Sequence, residues 1–183
     1  LIGGIGIAAT QAITKNVKQS VQDEYRFGAS QDAERLETWI SRNEQTARSV
    51  SDSPTLAWED QAPTEPSPDA YLGRQTDHQR LQAGDDFLVV HRDSGVILNQ
   101  SVSNIGRAAE SNFYKDGNGD WLRNISFTGP HDTFVSGVFE SYTGKHMIGF
   151  ASPVPGATDR VLVWLVERPG QGFLNGREMA ADG

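Results

Sequence analysis

Hydrophobic positions in the first third of the chain recur at spacings of three, four and seven residues, and charged or amide side chains fill the positions between them. The apolar series comprises Val17, Val21, Tyr25, Ala29, Ala33, Leu36, Ile40, Ala47 and Val50. This period is typical of an amphipathic helix, and it predicts one helix from about Thr10 to Val50 that ends over 51–54. Two helices broken at Gly28 are the alternative, since one glycine costs a helix only about 1 kcal/mol.

The segment before this helix, LIGGIGIAATQAI at 1–13, contains no charged residue. It is shorter than the roughly 20 residues that a bilayer span needs, and it continues into the charged helix without a turn. We therefore expect residues 1–13 to be the outer end of a first transmembrane helix. A signal peptide would need a charged region and a cleavage site beside it, and a dinucleotide-binding loop over 4–9 would need a preceding strand, for which three residues leave no room.

Beyond the helix, the period of the pattern changes. Residues 58–84 are polar and rich in proline, which predicts a surface excursion with a short helix after Pro68. Five stretches then have the alternation and turn residues of β-strands, at 87–91, 95–100, 133–140, 146–153 and 160–167. A short helix over 104–111 and a glycine-rich loop at 116–120 separate the second strand from the third. The pattern predicts an α+β fold with an antiparallel five-stranded sheet.

Composition narrows the class of protein. A chain of 183 residues that is 37% hydrophobic is expected to form one core. Its formal net charge of −8 argues against nucleic acid as a partner, because phosphate recognition needs a concentrated basic surface. The absence of cysteine excludes disulfides and thiolate sites. Arg outnumbers Lys threefold, and together with the acidity this usage indicates a halophilic or GC-rich source, such as a haloarchaeon.

Five segments appear in an order that is familiar: FLVVHRDSGVILNQS at 87–101, NIGRAA at 104–109, the Trp121 region, VSGVFESYTGKHMIGFASPV at 135–154 and RVLVWLVE at 160–167. Behind the long N-terminal helix, this order resembles the extracytoplasmic Cache sensor domains, which are PAS-like folds, of methyl-accepting chemotaxis transducers and sensor histidine kinases. The D-x-G turn of that family is matched at 93–95, its T-G turn at 143–144 and its small-Pro-Val strand ending at 152–154.

The resemblance implies a division of the chain into four parts: the membrane end at 1–13, a long signalling helix at 14–52 packed along the sheet, the PAS-like Cache sensor domain at 53–168 and a tail at 169–183. It implies a chemoreceptor domain outside the cell membrane that binds a small molecule, forms a homodimer through the N-terminal helix and catalyses no reaction. The alternatives are the sensor of a histidine kinase, or a structural module without a ligand that pairs along Val17, Val21 and Leu36.

In members of the family, the ligand lies between the sheet and the segment joining the second and third strands, which corresponds here to 113–133 and the inner faces of the late strands. This placement gives six candidate ligand-binding residues: Tyr114, Trp121, Arg123, Ser136, Phe139 and Ser152. Trp121 and Phe139 would form apolar walls and Arg123 would pair with a carboxylate. The alternative is that these aromatic residues are ordinary core and that Arg123 is solvated. The aromatic-x-Asp motif of amino-acid-binding members is matched only distantly, by His131-Asp132 and Phe134.

Other chemistry in the sequence is sparse. The oxygen-rich loop at 116–120 resembles a calcium loop, but Trp121 stands where an EF-hand needs Gly and Phe127 where it needs Glu. The four histidines have no metal-ligand spacing, so we expect no metal and no cofactor. Two N-x-S glycosylation sequons begin at Asn99 and Asn124, and they carry meaning only if the domain lies outside a cell that glycosylates its proteins.

Overall fold

The computed structural model describes residues 30–57, 66–79, 85–101, 112–115, 119–140 and 145–169. Several predictions concern residues outside these ranges: the membrane end, the first part of the long helix with Gly28, the short helix at 104–111, the T-G turn at 143–144 and the tail. Among the described residues, no helix combines the length and the apolar character needed to cross a membrane.

The described elements form one antiparallel sheet with helices around it. They are α1 (Ser30–Ser51), a 3-10 turn (Pro54–Leu56), α2 (Pro68–Gln79), β1 (Asp86–His91), β2 (Ile97–Gln100), α3 (Asp120–Arg123), β3 (Phe134–Glu140), β4 (His146–Val154) and β5 (Ala157–Glu167). The strand order is β2-β1-β5-β4-β3. The α+β fold and the five-stranded antiparallel sheet with a packed N-terminal helix are confirmed, and the architecture is consistent with a PAS-like fold.

The hairpin between β4 and β5 is tighter than the sequence predicts. Residues 155–158 contain turn chemistry throughout, yet only Pro155 and Gly156 form the turn, because Val154 already pairs with Ala157. Gly156 has a φ of 85°, which only glycine adopts without strain. A two-residue hairpin commonly needs such a positive φ. Because the turn contains only two residues, β5 begins three residues earlier than expected and is the longest strand.

Helix α1 packs across β4 and β5 with one apolar stripe. Leu36, Ile40, Ala47 and Val50 form this stripe at the spacing of a helical face, and each is almost completely buried. Full burial of a side chain of this size contributes about 1.5–3 kcal/mol. Trp39 adds an edge contact to Phe150 of β4, with ring centroids 5.7 Å apart.

A buried polar pair fixes the position of α1 along the sheet. The Asn43 side chain, on the same stripe, accepts a hydrogen bond at Oδ1 from Trp164 Nε1 of β5 at 2.9 Å. Its Nδ2 donates to the carbonyl oxygen of Trp39 at 2.8 Å, and the Trp164 ring stacks on Phe87 of β1 with centroids 4.0 Å apart. The indole N–H of Trp164 has this acceptor only when α1 is in its observed position along β5. The pair therefore favours one position of the helix on the sheet.

The opposite face of the sheet carries a second core. Successive residues of β5 alternate between the two: Leu162, Trp164 and Val166 face α1, whereas Val161, Val163 and Leu165 face away from it. The second core is covered by residues of the segment between β2 and β3, among them Tyr114, Leu122 and Ile125. The sheet therefore separates α1 from this covering segment.

Replacing Asn43 by Ala should destabilise the domain by about 1–3 kcal/mol, because Trp164 Nε1 is then buried without an acceptor. Urea unfolding of this chain measures the loss as a free energy. The matched control is Gln45→Ala on the exposed side of the same helix, which should stay within about 0.5 kcal/mol of the parent protein. Equal stability of the two variants would show that the pair does not hold the helix.

Candidate functional site

The hairpin of β1 and β2 holds Phe113 and Tyr114 of the covering segment. Phe113 N donates to the carbonyl oxygen of Gly95 at 2.7 Å, and the Tyr114 hydroxyl donates to the carbonyl oxygen of Arg92. Gly95 has a φ of 73°, and a Cβ atom there would collide with the Tyr114 ring. The glycine of the D-x-G turn is thus required both by the backbone conformation and by the ring that lies on it.

Trp121 lies at the centre of an aromatic cluster on this face. The single turn of α3 brings it there and buries its neighbour Leu122. The Trp121 ring stacks on Phe134 of β3 at 5.8 Å, meets Phe113 edge-on at 5.9 Å and lies tilted against Phe139 at 6.0 Å. These distances are those of favourable aromatic pairs, so four rings from three parts of the chain form one cluster.

The floor beneath Trp121 is Gly149 in the middle of β4. A Cβ atom at this position would come within 2.5 Å of Trp121 Cζ2, so the indole rests directly on the strand backbone. The Gly149 amide donates to Ser136 Oγ at 2.8 Å, and that hydroxyl donates to the carbonyl oxygen of Gly137 at 2.7 Å. Ser136 therefore occupies a β-bulge in β3 and replaces a ladder hydrogen bond.

The indole N–H of Trp121 is buried and has no hydrogen-bond partner within the described part of the chain. A buried donor without an acceptor costs about 1–3 kcal/mol, and native proteins leave few of them. Small-molecule sites combine an apolar lining with a few polar groups, but this donor is enclosed, so a ligand would reach it only if the surrounding rings moved.

Two arginines flank Tyr114 beside this cluster. The Arg123 guanidinium lies 4.3 Å from the Tyr114 ring centroid and 3.3 Å from Asp120 Oδ1, with half of its side chain exposed. Arg92 Nη2 donates to the carbonyl oxygen of Ile125 at 2.6 Å. Burial raises the pKa of the Tyr114 hydroxyl, while Arg123 and Arg92 act to lower it. Both cations thus lie near the Tyr114 hydroxyl, and each already has a partner, Asp120 for Arg123 and the Ile125 carbonyl for Arg92.

Ser152 lies on the other side of the sheet from Trp121. It shares its face of β4 with Phe150 and Val154, which belong to the core facing α1, and it pairs in register with Leu162 of the same core. Its hydroxyl is fully buried and lies 2.8 Å from Thr133 Oγ1. Ser152 therefore joins the start of β3 to β4 and does not line the aromatic cluster.

The carboxylate of Asp132 closes its own turn. It accepts hydrogen bonds from the Thr128 and Gly129 amides, the latter at 3.0 Å. Partial burial acts to raise the pKa of Asp132, but these bonds together with the Thr128 hydroxyl and the nearby Arg48 hold it below its ordinary value. The adjacent His131 Nδ1 lies 3.1 Å from Asp52 Oδ1, just after α1. The carboxylate is committed to the turn, whereas an amino-acid site would need it for an ammonium group.

The structure brings together four of the six predicted site residues, namely Tyr114, Trp121, Arg123 and Phe139. Ser136 is connected to the aromatic cluster only through its hydrogen bond with the Gly149 amide. Ser152 lies on the opposite face of the sheet. Sequence reasoning missed Arg92, Phe113, Phe134 and Gly149. A lone glycine within an apolar strand marks a close approach of another group, and this signal could have identified Gly149. No cluster of His, Asp and Glu suited to a metal occurs in the described ranges, and the calcium-like loop lies partly outside them.

Replacing Gly149 by Ala should displace the Trp121 ring and destabilise the domain by about 1–3 kcal/mol, as overpacking does. Thermal and urea unfolding measure the effect. Gly137→Ala is the matched control in the neighbouring strand, because a Cβ there meets no atom within 4 Å. In a Trp121→Ala background the cost of Gly149→Ala should disappear, and persistence of that cost would contradict the packing described.

No protein-family model matches this chain, and no solved structure matches it. Among curated proteins, the chain is similar to transducer protein Htr18 of Halobacterium salinarum, with 27% identity over 172 residues. The alignment covers 93% of this chain and 20% of that protein, so the chain spans about a fifth of the length of the curated relative it matches. This similarity supports a chemotaxis-transducer-related origin for the chain.

Proposed function

We propose that this chain is the extracytoplasmic ligand-sensing domain of a membrane chemotaxis transducer, joined to the membrane by an adjoining helix. The similarity to a transducer protein and the PAS-like α+β architecture support the assignment. The sensor domain of a histidine kinase is the alternative output for the same fold. In either case the domain binds a small molecule and acts by changing the arrangement of α1.

The observation that carries this proposal is the buried indole N–H of Trp121 on the face away from α1, for which the described residues provide no acceptor. It is a donor, the rings around it are apolar, and Arg123 and Arg92 stand at the rim. A ligand that fits this set is small and partly apolar, and it carries a carboxylate or carbonyl oxygen. Its anionic oxygen would be drawn by the guanidinium groups, with which carboxylates form strong charge-assisted hydrogen bonds.

Signalling requires that the ligand bind one arrangement of the receptor better than the other. The candidate site and α1 lie on opposite faces of the same sheet, so the ligand does not touch the helix. The strand that supports Trp121 at Gly149 carries Phe150 against Trp39 of α1. A shift of β4 on ligand binding would therefore change the position of α1 on the sheet.

A homodimer through the N-terminal helix is the second part of the proposal. Leu36, expected in the pairing seam of the structural module, is instead 1% exposed and faces the sheet. Pairing over the described part of α1 must therefore use its outer face, where an open depression is lined by Glu34, Glu37, Thr38, Ser41, Arg42 and Gln45. This surface is polar and bears both signs of charge, so two copies would meet through hydrogen bonds and ion pairs.

A thermal-shift screen of this chain against small carboxylates, amino acids included, should yield ligands that raise its melting temperature. A ligand at 100 times its Kd adds about 2.7 kcal/mol to the stability of the folded state. Arg123→Ala should reduce or abolish the shift, because it removes a cation at the rim. Arg42→Ala, which removes an exposed arginine of α1, should leave the shift intact.

Two results would contradict ligand sensing at this site. One is a screen in which no carboxylate stabilises the parent chain. The other is a hit whose shift is the same in the parent chain, in Arg123→Ala and in Trp121→Phe, a variant that keeps an aromatic ring and lacks the N–H donor.

Cysteine crosslinking tests the dimer. The chain has no cysteine, so Ser41→Cys introduces one thiol on the outer face of α1, in a receptor whose other cysteines, if any, are replaced by serine. In membranes this variant should form a disulfide-linked dimer on mild oxidation. Asp77→Cys on the exposed side of α2 is the control and should stay monomeric. Equal crosslinking of both variants would indicate random collision and contradict a dimer through α1.

A further inference from the structure

We propose that Asn124 carries an N-linked glycan and that Asn99 does not. The two N-x-S sequons of the chain begin at these residues, and such sequons are acceptors when they lie on the surface of an extracytoplasmic protein. The proposal rests on the extracytoplasmic placement proposed above. The sequence alone treats the two sites equally, whereas their surroundings in the fold differ.

Asn124 is open to modification. It is exposed, ends α3 as its C-cap and begins the loop that leads to β3. Its Nδ2 makes one weak bond, to the carbonyl oxygen of Asp120 at 3.2 Å, at the surface of the protein. A side-chain amide has two N–H bonds, so attachment of a sugar replaces one and leaves the other. Ser126, whose hydroxyl completes the sequon, is exposed as well.

Asn99 is engaged inside the fold. It lies half-buried in β2, and its Nδ2 donates to Asp69 Oδ1 of α2 at 3.2 Å. The same carboxylate oxygen accepts from the Gln100 amide at 3.0 Å. The sequon hydroxyl of Ser101 donates to the fully buried carboxylate of Asp86. Asn99 also has a second N–H, but it lies half-buried between β2 and α2, so a glycan there would crowd the contact with Asp69, whereas at Asn124 it would stand in solvent.

The reaction is a transfer of an oligosaccharide from a lipid-phosphate-linked donor by a membrane oligosaccharyltransferase. The Asn124 amide nitrogen attacks the anomeric carbon and forms a C–N bond, while the bond from that carbon to the phosphate oxygen breaks. The electron pair leaves with the lipid phosphate, and the amide proton passes to a base of the transferase. No oxidant or reductant is needed.

The position of the glycan has a consequence for the candidate site. Asn124 directly follows Arg123, whose guanidinium lies on the Tyr114 ring, so the sugar would stand at the rim of the ligand-binding face. Helix α1 lies on the other side of the sheet, and its outer face stays clear. The glycan would hydrate the rim without blocking contact between receptor copies through α1.

Mass spectrometry of the full-length receptor, purified from membranes of its host cell and digested with trypsin, tests the proposal. Asn124 falls in the peptide 124–145, or 116–145 where the sugar blocks cleavage after Arg123, and Asn99 falls in 93–107. We expect hexose-containing mass additions on the first peptide and an unmodified second peptide. Ser126→Ala should abolish the addition, and Ser126→Thr, which keeps the sequon, should retain it.

Labelling of the exposed Lys115 with a membrane-impermeant amine reagent separates the outcomes. If Lys115 reacts in intact cells and the peptide with Asn124 is unmodified, the glycan proposal fails while the extracytoplasmic placement stands. If Lys115 reacts only after lysis, the placement fails and the glycan proposal fails with it. Modification of Asn99, or a mass addition on the Asn124 peptide that survives Ser126→Ala, would also overturn the inference.

Discussion

Strands β4 and β5 are buried on both faces, and this constraint arranges the rest of the domain. Successive side chains of a strand point to opposite sides of the sheet. In β5, Leu162, Trp164 and Val166 therefore pack against α1, and the residues between them pack against the covering segment. Neither face can be left open, because both are apolar. A helix must therefore cover one face, and the long connection between β2 and β3 must cover the other.

The same alternation connects the candidate site with the helix. Gly149 and Phe150 are neighbours in β4 that face opposite sides: the first supports Trp121, and the second contacts Trp39 of α1. Phe150 also pairs in register with Trp164, whose N–H is bonded to Asn43. Because packed interiors resist continuous deformation, β4 is a direct physical connection between Gly149 and the contacts that position α1.

The sequence predicts the fold better than the site. Period and turn residues were enough for five strands and for two described helices, because these signals are local. The position of Ser152 could not be predicted, since its face depends on the register of β4 against β5, and a shift by one residue exchanges the faces. Ser136 lies in a β-bulge of β3, and the alternation of residues in the sequence does not show where a bulge occurs. Arg92 and Phe134 were missed because they meet Tyr114 and Trp121 only through tertiary packing.

Trp121 occupies the place over Gly149, so a ligand must compete with the protein's own indole for this face. The stacking of Trp121 on Phe134 and its contacts with Phe113 and Phe139 oppose displacement, and such aromatic pairs contribute about 0.5–1.5 kcal/mol each beyond their burial. The indole N–H, which has no acceptor in the described part of the chain, acts in the other direction and makes the packed state less stable than its apolar contacts alone would make it. The aromatic contacts and the burial of the ring together exceed this cost, so the packed arrangement is favoured in the absence of a ligand. A ligand that supplies an acceptor would shift the equilibrium toward a displaced indole only by as much as it binds that arrangement better.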